Sequence, residues 1–398
     1  MRFLPLAMLG LSACAPTASS LAPPPVTGVS YAWVAFDGAR VRSSNAGGTA
    51  DRRTGRAMTI DDPVRIASVS KLVVALGVLR LVEQTRLDLD EDVSVKLGWT
   101  LRNPAFPDRP ITLRLLLSHR SSLRDEVDYA IPLGKELKTV LADPAAFDSD
   151  RPPGSFFRYA NLNFPVIATV MERATGERFD RLIDRLVLKP LSLEACFNWS
   201  NCGDRMLARA VVLYDDDGSP LRDDLKGTAP QCLVVPDEQG NCDLGGYVPG
   251  TNGALFSPQG GLRIAARDLA TIGQLLLNRG RHAGGTFLRE ASIDALATPA
   301  WEYDGSNGET EGGFYCAYGL ATQVLPVAVS GCRDDLFGGG RMMVGHAGDA
   351  YRVRSGLWVD PTKGVGIAFF AANNGSEPPL GRTAFRTIEE WLAAKLDD

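Results

Sequence analysis

Histidine is scarce in this chain of 398 residues, with three in all, and the pattern His-Glu-x-x-His does not occur. A zinc hydrolase built on that helical pair is therefore not expected. Gly-x-Ser-x-Gly is also missing, which leaves no nucleophile elbow for a Ser-His-Asp esterase. Lysine is rare, eight residues against 34 arginines, and neither type forms a basic cluster. With a formal net charge of -5 and a pI near 5.4, the chain has no positive field suited to nucleic acid. Beyond the first residues, no segment reaches the about 18 consecutive apolar residues that a membrane helix needs. No internal repeat appears, and neither a metal nor an organic cofactor is expected.

What is present is the composition of a globular protein with a full-sized core, 45% apolar and 22% charged. The chain opens "MRFLPLAMLGLSAC", a single charge at Arg2 followed by an apolar run and small residues, which reads as an export signal over residues 1-13. The ending "LSAC" resembles a bacterial lipobox. That resemblance implies lipidation of Cys14, a membrane anchor, and a periplasm-facing lipoprotein, with Ala15 after the cysteine favouring the outer membrane. Residues 14-27 are rich in Pro and Ser and read as a tether. Six further cysteines, Cys196, Cys202, Cys232, Cys242, Cys316 and Cys332, form an even set in an exported chain and are disulfide candidates. Near-neighbour pairing is the expected connectivity, although sequence does not choose among the possibilities.

Along the body, "SYAWVAFDGARVRSSN" reads as two strands about an Asp37-Gly38 turn. Strand candidates return in "GFYCAYGLATQVLP", "RMMVGHAG", "RVRSGLWVDP" and "GVGIAFFAANN", and "AFRTIEEWLAAKLDD" has the apolar stripe of a covering helix. Between them, "ITLRLLLSHRSSL", "NFPVIATVMERATG" and "ERFDRLIDRLVLKPL" read as helices, and residues 196-250 as loops. "GGLRIAARDLATIGQLLLNRG" restores helical periodicity. The expected fold is α/β of the α+β type. An antiparallel sheet flanked by helices (28-87 with 253-398) is interrupted by a mostly helical region with disulfide-bearing loops (88-252).

One stretch does not fit a purely structural reading. "RIASVSKLVVALGVLRL" (65-81) is apolar on every side, as a buried helix is, yet it carries Lys71 at its first turn. A buried ammonium is costly unless paired or used. Ser68 lies three residues earlier, on the same helical face. A desolvated lysine whose pKa falls can accept the proton of a serine hydroxyl, and a helix N-terminus favours the negative charge that develops. Ser70, adjacent to Lys71 rather than a turn away, is the weaker candidate nucleophile.

Downstream stand Tyr159-Ala160-Asn161 and His346-Ala347-Gly348. The ordered set Ser-x-x-Lys, Tyr-x-Asn and His-x-Gly resembles the serine β-lactamase and penicillin-binding superfamily, in its class C-like branch. That branch holds class C β-lactamases, D-alanyl-D-alanine carboxypeptidases, D-aminopeptidases and family VIII carboxylesterases. "DDPVRIASVSK", "ITLRLLLSHRSSL" and the segment 260-280 extend the likeness over about 28-398. The resemblance implies Ser68 as the acylated nucleophile. Lys71 and Tyr159 would share the proton work, with the tyrosine pKa lowered by Lys71, and Asn161 would orient Lys71 and bind the acyl side. The backbone N–H groups of Ser68 and Asp349 would form the oxyanion hole, beside Gly348. His119 is expected to be structural and His282 to sit in a solvated loop.

Where many relatives have Lys-Thr-Gly, this chain has His346-Ala347-Gly348, and a largely neutral histidine holds a substrate carboxylate less well. Arg352 and Arg354 are candidates to restore that clamp, and Arg352 stands where relatives often have glycine. The expectation is an exported serine hydrolase acting on a small ester or amide, most like a carboxylesterase. A carboxypeptidase or aminopeptidase acting on peptidoglycan-derived peptides, or a weak β-lactamase, is the alternative. A penicillin-binding sensor without turnover, or a peptidoglycan-binding protein, is the alternative of another class. Oligomeric state is not readable.

Overall fold

The computed structural model describes residues 23–398, so the expected leader, Cys14 and the first part of the tether lie outside the described residues. At the Asp37-Gly38 turn the Asp37 carboxylate accepts the backbone N–H groups of Ala39 (2.8 Å) and Arg40 (2.9 Å). This folds strand β1 (Ser30–Asp37) against β2 (Val41–Gly47). Six later strands complete the sheet: β3 (Trp301–Glu302), β4 (Ala317–Tyr318), β5 (Gln323–Leu325), β6 (Met343–Ala350), β7 (Val353–Asp360) and β8 (Val365–Ala372). Their order is β3-β4-β5-β6-β7-β8-β1-β2 and every pairing is antiparallel. The first strand of the chain thus docks beside the last.

Both faces of the sheet centre are covered, which explains why β7 is buried almost throughout and β8 is almost continuously apolar. Val34, Phe36, Leu357 and Phe370 face one core, against which helix α4 (Ala266–Leu277) lies. Trp33, Trp358 and Phe369 face a second, closed by Ile388 and Leu392 of helix α5 (Thr387–Ala393). Helix α1 (Ser70–Glu83) is buried along most of its length between helix α3 (Asn163–Thr175) and the turn at Asp184–Leu188. Gly176 ends α3 in the left-handed conformation that glycine adopts freely.

Several expected elements differ. The helical run expected over 111-123 is only Leu113–Leu117 (α2), because His119 and Ser122 take positive φ and turn the chain out of the helix. Ahead of the helix in the segment 260-280, which begins at Ala266 with Asp268 in its first turn, residues Leu262–Ile264 form a strand between Val64–Arg65 and Ala195–Phe197. The strand expected over "GFYCAYGLATQVLP" breaks at a turn where Gly319 N–H meets the Thr322 carbonyl (2.8 Å). His282 lies not in an open loop but in a two-residue hairpin pairing with Gly285. The cysteines pair as near neighbours, Cys196–Cys202, Cys232–Cys242 and Cys316–Cys332, with Cα separations of 5.5, 5.6 and 6.0 Å. Among the described residues, no helix is long and apolar enough to cross a membrane.

Gly273 lets α4 approach the sheet, since a Cβ there would fall 2.1 Å from the Phe36 ring. Gly273→Ala is expected to cost about 1–3 kcal/mol of stability through overpacking, read as a lower urea midpoint. An unchanged midpoint would mean that the helix is free to shift.

Candidate active site

The chain reaches α1 through a kink. Ala67 has φ 47°, and Ala67–Val69 form a short 3-10 turn ahead of Ser70. Ser68 therefore stands in this turn rather than in the helix expected from the sequence. The Ser70 hydroxyl donates to the Ala67 carbonyl (2.6 Å) and accepts the Leu262 N–H (3.1 Å). Fully buried and doubly bonded, Ser70 braces the turn while Ser68 faces the cleft.

Ser68 Oγ lies 3.0 Å from Lys71 Nζ and 2.8 Å from Tyr159 Oη. Lys71 has no exposed surface, and its amine also meets Asn161 Oδ1 (2.9 Å) and the Gln259 carbonyl (2.8 Å). Burial pushes the lysine down to about 7, against the opposing pull of the Asp125 and Glu311 carboxylates. The neutral amine has two N–H donors for Asn161 and Gln259, leaving its lone pair for the Ser68 proton. Lys71 is thus a base matched to neutral pH.

Tyr159 and Asn161 come from the turn that enters α3. The Tyr159 ring stacks on His119 at 4.3 Å, and His119 Nδ1 accepts the Ala160 N–H (3.1 Å) and the Asn163 side-chain amide (3.0 Å). Burial holds His119 neutral, in keeping with a structural role. Asp125 fixes Asn161: one carboxylate oxygen accepts its backbone N–H (2.8 Å) and side-chain amide (3.0 Å), and the other accepts the Leu162 N–H (2.9 Å). The expected lowering of the Tyr159 pKa is not found. Burial raises it, outweighing the hydrogen bonds, so the phenol keeps its proton and donates it to Ser68.

Strand β6 forms the opposite wall. A Cβ on Gly348 would lie 2.4 Å from the Ile66 carbonyl and 3.2 Å from Ser68 N, so only glycine allows the strand this close to the Ser68 turn. His346 does not line the cleft, contrary to the expectation that it contacts substrate. Its ring is buried, with Nε2 at 2.7 Å from Tyr318 Oη, and burial together with Lys71 pushes it down to about 3. It is neutral and lies behind the wall. Arg352 is also misplaced for a clamp. It shares the β6–β7 hairpin tip with Tyr351 at φ 63°, where glycine would be easier, and its guanidinium is held by Asp215 and Asp216. Arg354 does line the cleft, yet its cross-strand neighbour Asp349 already pairs with it at 2.6 Å.

The cleft is about 530 Å³ in volume. Besides Ser68, Tyr159 and Asn161 its lining includes Arg65, Asp125, Gln259 and Glu311, none of which belongs to a motif legible in the sequence. Glu311 is raised by burial and by neighbouring carboxylates. Among the described residues, no cluster of His, Cys, Asp and Glu could hold a metal ion.

A family model described as Beta-lactamase matches residues 26–389. The chain is 34% identical over 196 residues to esterase EstB of Burkholderia gladioli, covering 44% of this chain and 48% of that protein. It is 28% identical over 252 residues to penicillin-binding protein 4 of Amycolatopsis lactamdurans, covering 63% of this chain and 60% of that one. The chain thus spans about half the length of these curated relatives. In structure it is similar to EstCE1, a hydrolase with promiscuous acyltransferase activity, with a TM-score of 0.65, 23% identity and coverage of 92% and 93% of the two chains. At that identity the likeness concerns the fold alone.

Side-chain NMR of labelled lysine should show Lys71 titrating near 7 in the native protein and returning to the ordinary lysine range on unfolding. A native midpoint above about 10 would contradict the dry environment described for the amine.

Proposed function

We propose, because the chain belongs to the beta-lactamase family, that it is a serine hydrolase cleaving esters through an acyl-enzyme on Ser68. The observation that carries this reading is the buried Lys71 amine within hydrogen-bond reach of Ser68 Oγ. Lys71 takes the hydroxyl proton as Oγ bonds to the substrate carbonyl carbon. The carbonyl oxygen, now negative, is met by the backbone N–H groups of Ser68 and Asp349. Tyr159 gives its phenolic proton to the departing alcohol oxygen as the ester C–O bond breaks, and the Lys71 ammonium restores it. Water then attacks the acyl carbon and gives up a proton to the same pair, and the acid leaves as Ser68 regains its hydroxyl. Asn161, fixed by Asp125, keeps the Lys71 amine aimed at Ser68.

Two observations favour an ester over a β-lactam. On the β6 wall, where relatives carry a fixed lysine charge, stands a neutral, enclosed His346, and Arg354 is committed to Asp349; among the described residues the one cation left open, Arg65, lines the cleft from a different strand, Val64–Arg65. EstB, by its name an esterase, is consistent with this. Export and anchoring through Cys14 complete the proposal; the "LSAC" sequence and the three cysteine pairs support them.

A panel of p-nitrophenyl esters, a chromogenic cephalosporin and a D-Ala-D-Ala peptide tests the substrate class. Short-chain esters should be turned over fastest, with kcat/KM rising as pH increases through about 7 because the Lys71 amine must be unprotonated. Ser68→Ala should reduce the rate by at least about a thousandfold. Faster release of D-alanine than of p-nitrophenol would move the assignment to a peptidase, and full activity in Ser68→Ala would remove the mechanism.

A further inference from the structure

Arg65, three residues ahead of Ser68, lines the cleft while only 6% of its surface is exposed. A guanidinium so buried is normally matched by a carboxylate. Among the described residues, no carboxylate pairs with this one. Its hydrogen bonds go to neutral oxygens, the Gly260 carbonyl (3.1 Å) and Asn198 Oδ1 (3.4 Å), and its Nε has no partner. The nearby buried carboxylate, Asp223, is already bound to Arg263 (3.0 Å) and to the Trp199 indole (2.6 Å). Arg263 shares Asn198 Oδ1 with Arg65. The buried group therefore holds two guanidiniums against one carboxylate.

Asp223 supports the Arg65 charge from beyond hydrogen-bond distance, and the remaining support is aromatic. Tyr351, at the β6–β7 hairpin tip, lies over Arg65 at 4.8 Å and over Arg222 at 4.5 Å, and its hydroxyl accepts from Arg222 (2.8 Å). A ring face attracts a cation without neutralising it. Burial and the Arg263 charge push Arg65 down to about 9, which leaves it charged at neutral pH. The other two arginines considered for this cleft, Arg352 and Arg354, are both saturated by aspartates.

We infer that Arg65 is a specificity-determining residue that binds a carboxylate or similar anionic group of the substrate, so that the substrate is an anionic ester or amide. This deepens the serine hydrolase reading and rests on it. The cleft anion completes a charge balance that the folded chain leaves open. Tyr351 keeps the guanidinium in place while the cleft is empty.

The test compares glutarate with glutaramide, its uncharged diamide, as inhibitors of p-nitrophenyl butyrate hydrolysis. In the unaltered protein glutarate should compete on the order of tenfold more tightly, as a charge-assisted pair requires. That preference should vanish in Arg65→Met and be partly kept in Arg65→Lys. Equal inhibition in the unaltered protein, or a preference that survives Arg65→Met, overturns the inference. Should Arg65→Met fail to fold, the comparison in the unaltered protein and in Arg65→Lys still decides: equal inhibition, or no loss of preference in Arg65→Lys, counts against it. If no ester is hydrolysed, the hydrolase reading fails by itself. Calorimetry of glutarate on the Ser68→Ala chain then decides the Arg65 site, with binding supporting it and no heat above that of glutaramide overturning it.

Discussion

An amine carried into a protein interior must either be solvated there by oxygens or give up its proton, and Lys71 is placed where both are nearly balanced. Three oxygens surround its nitrogen: Ser68 Oγ, Asn161 Oδ1 and the Gln259 carbonyl. Nothing of it reaches solvent. An ammonium paired with a carboxylate would be inert as a base, and an exposed one would stay protonated. The site depends on this intermediate condition, and much of the surrounding structure serves to maintain it.

The apolar surface of α1 keeps water from the lysine stem, and its packing against α3 fixes the distance between Lys71 and the Tyr159–Asn161 turn. Asp125 holds Asn161 by two hydrogen bonds and the next residue, Leu162, by a third, and so sets one of the amine's acceptors from a segment distant in sequence. Ser70 ties the Ser68 turn to Leu262, in the small sheet that also carries Arg65. Gly348 closes the arrangement, because any side chain there would press on the Ile66 carbonyl and separate β6 from Ser68. Helix, turn, small sheet and main sheet thus meet at one hydroxyl. A change in any of them reaches the chemistry through the Ser68–Lys71 distance.

The parts of this arrangement that were legible in the sequence are those carried by side-chain identity at short spacing. Ser68 with Lys71, Tyr159 with Asn161, and the apolar stretches of β1, β7 and β8 are of that kind. What was not legible depends on partners far along the chain or on the backbone. Gln259 acts through its carbonyl, which any residue possesses. Asp125 is one of three acids within "RDEVD" (124-128), and nothing in that stretch marks it out. Arg352 and Arg354 had the right chemistry for a clamp, but Asp215, Asp216 and Asp349 had first claim on them. Tyr159 was expected to ionise because a lysine is near; burial, which acts on the phenol and the amine together, raises the one and lowers the other. The same effect keeps His346 neutral behind the cleft wall.

In the proposed reaction Ser68, activated by a neutral Lys71, carries the acyl group. Peptide mapping by mass spectrometry after rapid acid quench during turnover of p-nitrophenyl butyrate tests this most directly. A butyryl group is expected on Ser68, decaying once substrate is exhausted and absent from Lys71→Ala. An adduct on Ser70 or any other residue, or undiminished acylation of Ser68 in Lys71→Ala, would contradict it.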